Sequence, residues 1–150
     1  MTLLNYTTKV EAAKTVEQIQ RILVAHGARA VLVNYGDDGS IQSLAFKAMG
    51  PQGEIAIKLP IDPEATLRVL TRQYNAGKIP HRYINRPQAV RVAWRIIREW
   101  VAAQMAILET EMVRLEQIFL PYVVTRDGRT IYEIAAESYL LGEGDKHGSQ

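Results

Sequence analysis

The chain has 150 residues, a net charge of +2 and no cysteine. That length suits one domain with a core of its own, and the missing thiols exclude disulfides, zinc–thiolate sites, iron–sulfur clusters and cysteine nucleophiles. The start, Met1-Thr2-Leu3-Leu4-Asn5-Tyr6, has neither the basic residues nor the apolar run of a signal peptide, and no apolar run nears the roughly 20 residues that span a bilayer, so a cytoplasmic protein is expected.

Thr8 and Glu11 have capping-box spacing, with Ala12, Val16, Ile19 and Leu23 behind them at helical intervals and Gly27 as a stop. A helix over 9–26 is predicted. Ala28 to Tyr35 alternates Val31, Val33 and Tyr35 on one face and runs into the turn Gly36-Asp37-Asp38-Gly39. Ile41 to Met49, with Leu44, Phe46 and Ala48 on one side, and Glu54 to Leu59, with Ile55, Ile57 and Leu59, complete a three-stranded antiparallel meander joined by Gly50-Pro51-Gln52-Gly53. Lys47 and Lys58 fall on its open face.

Asp62-Pro63-Glu64 opens a second helix, to about Ala76 and the stop at Gly77. Pro87 opens a third whose apolar positions Val90, Trp94, Ile97, Val101, Leu108, Leu115 and Ile118 keep stepping by three and four, which predicts one long helix over 87–119. Its apolar surface, including Trp100, Ile107 and Met112, exceeds what the other elements can cover, so a homo-oligomer through this helix is expected. Arg126-Asp127-Gly128 reads as a turn, Thr130 to Glu133 as a second capping box opening a helix to Leu141, and 142–150 as a disordered tail. The fold class is therefore α+β, in one domain over 1–141: helix, three-stranded meander, helix, long helix and short C-terminal helix.

The functional signal is charge segregation. From Ala65 to Arg98 there are Arg68, Arg72, Lys78, Arg82, Arg86, Arg91, Arg95 and Arg98, with His81, and no acid; from Glu99 to Asp145 the acids predominate. Arg91, Arg95 and Arg98 near a helix N-terminus oppose its dipole, a cost that a docked anion would offset. Tyr74, His81, Tyr83 and Trp94 are interleaved with these cations, and rings beside arginines suit stacking on unpaired bases. Arg82, Arg86, Arg91, Arg95, Arg98 and Lys78 are thus candidate phosphate contacts, and Tyr74 and Tyr83 candidate base platforms. The same arginines could instead pair with the acidic half of a second copy or simply be solvated. The acidic half itself, Glu99 to Glu137, could mimic a nucleic acid.

No dinucleotide, P-loop, zinc-protease or EF-hand motif is present, and His26, His81 and His147 are scattered, so neither a cofactor nor a metal is expected. His26 reads as a helix C-terminal cation.

The order helix, three antiparallel strands, helix over Thr8 to Ala76 resembles the topology of double-stranded RNA-binding domains, with Asp62-Pro63-Glu64 in place of that family's basic cluster. Arg91-Val92-Ala93-Trp94-Arg95-Ile96, Leu120-Pro121-Tyr122 and Gly128-Arg129-Thr130 resemble small uncharacterised proteins of phages and prophages. That resemblance implies a mobile-element role: handling phage nucleic acid, or evading a host defence by binding its nucleic acid, its nucleotide messenger or one of its proteins.

Overall fold

Three strands and two long helices share one core in the computed structural model, which describes residues 1–140. The elements are α1 (Ala12–Ala25), β1 (Ala30–Tyr35), β2 (Ile41–Gly50), β3 (Gly53–Lys58), α2 (Pro63–Asn75), α3 (Arg86–Glu109), α4 (Leu115–Phe119) and α5 (Ile131–Ala135), then a π-helical turn over Ala136–Leu140. The 142–150 tail lies outside the described residues.

The sheet is an antiparallel meander, ordered β1-β2-β3. Val31 pairs with Phe46, Phe46 with Ile57 and Ala48 with Ile55, so the alternation places Leu44, Phe46, Ala48 and Ile57 against α1 and α3. There they meet Val16, Ile19 and Leu23 of α1 and Trp94, Ile97, Val101 and Met105 of α3. Val31 and Val33 point the same way but are only half-buried, because β1 is the outermost strand. Tyr35, expected on that buried face, is 63% exposed at the strand's end. A second, smaller cluster of Leu70, Ile79 and Ala89 joins α2 to α3.

α1 starts later than its box predicts. Glu11 is extended (φ −63°, ψ 147°) and makes no side-chain cap, while the Thr8 hydroxyl accepts from the Val10 amide at 3.2 Å. The cause lies in α3, where buried Gln88 donates to the carbonyls of Tyr6 (2.8 Å) and Thr8 (3.0 Å) and holds the N-terminal segment extended. Its Oε1 accepts from Arg91 Nε and Nη2, so both ends of the buried amide are satisfied. Asp62 caps α2 through the Ala65 amide and Thr130 with Glu133 forms the expected box on α5. Gly27 and Gly77 take the left-handed φ values, 98° and 75°, that end α1 and α2.

The long helix over 87–119 is corrected to two. α3 stops at Glu109: the Thr110 hydroxyl bonds back to the Ile107 carbonyl (2.6 Å) and Glu111 turns left-handed (φ 61°). The chain reverses, the Gln117 side chain accepts from the Arg114 amide (2.8 Å), and α4 lays Phe119 edge-on against Phe46 and Trp100, each with ring centroids 5.6 Å apart. Tyr122 closes on Trp100 at 5.5 Å. Much of the apolar surface that argued for association through this helix, Trp100 above all, is covered from within the chain, although Ile107 and Met112 remain exposed. No helix of the described residues is long and apolar enough to cross a membrane.

α1 and α3 are also clasped at their C-terminal ends. His26, the C-cap of α1, bonds the Ile22 carbonyl through Nδ1 (2.8 Å) and Glu109 through Nε2 (2.6 Å). The Ile22 carbonyl and then Glu109 raise its pKa above the ordinary 6.5, since both contacts suit the doubly protonated ring. A raised folded-state pKa stabilises the fold fully below pH 6.5, and this contribution fades as pH rises through the folded value. His26→Ala should therefore cost about 0.3–1 kcal/mol at pH 5.5 and less at pH 9 in urea unfolding. An NMR titration of the ring should move back towards 6.5 in Glu109→Gln.

Candidate nucleic-acid interface

The basic stretch spans α2, the loop with a 3₁₀ turn at His81–Tyr83, and the first half of α3, and its cations are not equivalent. Of those on α3, Arg86, Arg91 and Arg95 are engaged by the protein itself. Arg86 forms an ion pair with Glu64 at the start of α2. Arg91 lies 3.7 Å from Glu11 and is held by Gln88. Arg95 reaches Gln18 of α1 at 2.7 Å and Thr15 at 3.5 Å. Arg98 is half-buried, with its Nε enclosed and without a hydrogen-bond partner among the described residues. Internal acceptors on α1 and α2 thus offset much of the dipole cost that pointed to an anion at α3, and Asn85 caps the helix through the Gln88 amide (2.8 Å).

The cations of α2 and the following loop differ. Arg68, Arg72, Lys78 and Arg82 are exposed and enter no ion pair among the described residues. Leu70 turns inward, so the opposite stripe of α2 faces out, and Arg68 and Arg72, one turn apart, line a shallow groove there with Glu64, Leu67, Thr71 and Asn75. Arg72 sits in the last turn, where the dipole favours a cation.

The two rings part company. Tyr83 does not stand free: it is half-buried on the small α2–α3 cluster, edge-on to Tyr6 at 5.3 Å, with the Arg82 guanidinium 4.9 Å from its centroid. Tyr74 is 39% exposed but edge-on to His81 at 5.2 Å. The helical turn sets it about 120–160° round α2 from Arg68 and Arg72, so the ring lies towards the opposite side of the helix and does not share their stripe. Trp94 is fully buried.

A second concavity, about 480 Å³, opens where α1, α2 and α3 begin, lined by Glu11, Ala12, Ser40, Pro63, Arg86 and Arg91 among others. Asp38 also lines it, its carboxyl held below the ordinary 3.8 by the Ser40 hydroxyl and amide and, more weakly, by the charge of Arg86. The sequence did not signal this groove, because its walls come from four separate segments. Among the described residues no group of three or more His, Cys, Asp or Glu side chains could hold a metal ion.

Comparison with known proteins gave no matching family model, no matching curated protein and no matching solved structure.

Proposed function

We propose that the protein is a non-enzymatic nucleic-acid-binding protein whose phosphate contacts are made by the outward face of α2 and the loop after it. One observation carries the reading: Arg68, Arg72, Lys78 and Arg82 are exposed and enter no ion pair among the described residues, Arg82 bonding only the neighbouring Tyr83 hydroxyl, whereas Arg86, Arg91 and Arg95 tie α3 to other segments. Cations kept free of internal acids are available to phosphates, and with Tyr74 turned away from Arg68 and Arg72 the contact is mainly electrostatic. The phage-protein resemblance adds a setting, the handling of mobile-element nucleic acid. Titration of labelled single strands and duplexes across salt is the test. Four neutralised phosphates give a log–log slope of about −3 to −4. Absence of binding at low salt would refute the reading.

The groove at the helix starts favours a second reading, sequestration of a mono- or dinucleotide messenger of a host defence. Its support is α1's N-terminus, which lacks a side-chain cap and opens beside Arg86 and Arg91. A saturating nucleotide would then raise the melting temperature by several degrees, about 2–4 °C per kcal/mol for a domain of this size. A flat thermal-shift panel, or a shift unchanged by Arg86→Ala with Arg91→Ala, would dismiss it.

A further inference from the structure

The sheet has two edges, and only one is covered. On the β3 side the chain returns after α4: Val123 bridges to Ile57 and the Val124 amide donates to the Ala56 carbonyl at 2.8 Å. No segment of the described residues pairs with the outer edge of β1. The direction of its free groups follows from the ladder. The Leu59 amide donates to the Leu44 carbonyl, so Leu44 bonds towards β3 and its neighbours Ser43 and Ala45 bond towards β1. Their register partners Asn34 and Leu32 are therefore satisfied by β2, and Val31 and Val33 present N–H and C=O groups outward. The register slip at Asn34/Tyr35 places the additional residue, Gln42, on β2, and β1 itself stays regular.

Edge strands are ordinarily guarded by a charge, a proline or a bulge of their own. Ala30-Val31-Leu32-Val33-Asn34-Tyr35 has none of these, and Leu32 on its open face is 60% exposed. We propose that the β1 edge is an interface with a second copy of this chain, joined antiparallel about a two-fold axis at Leu32 into a six-stranded sheet.

Three features of the strand select a copy of itself. The register centred on Leu32 sets Val31 opposite Val33 of the other copy, so the free amides and carbonyls of both edges are satisfied reciprocally. It sets Leu32 opposite Leu32 as a non-hydrogen-bonded pair, where side chains approach most closely. It also sets exposed Arg29 opposite exposed Tyr35 and beside the turn that carries Asp37 and Asp38, and the two-fold repeats this charge complementarity at both ends. Arg29 and Asp37 enter no ion pair among the described residues. The interface is distinct from α2, so nucleic-acid binding and dimerisation stand or fall separately.

Sedimentation equilibrium of the full chain at about 5–300 µM tests this, the range suiting an interface below the standard size class. The expected result is a reversible transition from 16.9 kDa to twice that mass. Leu32→Lys places two lysines directly opposite and should weaken association about tenfold, with an unchanged circular dichroism spectrum. Arg29→Asp should weaken it too, and Arg29→Asp combined with Asp37→Arg should restore it. A monomer throughout the range, a dimer indifferent to both substitutions, or an open-ended polymer would overturn the proposal.

Discussion

Phe119→Ala should cost about 3–5 kcal/mol, a large part of the stability of a domain this size, and is expected to be the most damaging single truncation outside the helices' shared seam. The ring is fully buried and is the point at which α4, α3 and the sheet meet, edge-on to both Trp100 and Phe46. Removing it leaves a cavity and takes away the contact that folds α4 back. Trp100 then loses one of the two rings that cover it. The same variant should therefore bind a hydrophobic dye and associate more than the parent, which urea unfolding and light scattering would reveal together. A loss below about 1 kcal/mol would mean that α4 docks by its backbone and flanking residues alone.

Arg68→Ala with Arg72→Ala should have the largest effect on binding. Each lost phosphate contact removes about 0.7–0.9 from the salt slope, so the pair should lower it by about 1.4–1.8 and reduce affinity at low salt by about tenfold or more. Stability should change by less than about 0.5 kcal/mol, because both side chains are exposed and make no internal ion pair. Arg95→Ala is the informative contrast. Its guanidinium ties α3 to Gln18 of α1, so its loss should lower stability while leaving the salt slope intact. Fluorescence anisotropy at four or five salt concentrations separates the two, and equal slopes for parent and double variant would remove α2 from the contact surface.

The meander was legible because period-two alternation and the glycine turns agree with each other at every strand. The α2 cap was legible for the same reason, since Asp62 and Pro63 act locally. The α3–α4 break was not. Thr110, Glu111, Met112 and Val113 include no glycine or proline, and the apolar spacing continues in phase across them, so nothing in the local pattern announces the reversal that buries Phe119 against distant Phe46. The site divided along the same line. The clustering of cations was visible in the chain, but which of them remain free depends on where Glu11, Gln18 and Glu64 arrive in space. Charge order along a sequence carries no record of those partners.

The Gln88 amide has a consequence for how the molecule assembles. It joins Tyr6 and Thr8 to α3 across separations of 82 and 80 residues, and Leu3 and Asn5 reach Gln73 and Glu99 across 70 and 94. Closing loops of that size costs chain entropy that grows only logarithmically, but the cost falls due before the contacts form. Detaching the first eight residues would strip the buried Gln88 side-chain amide of both its acceptors, so the docking of this segment and the packing of α3 around Gln88 are coupled.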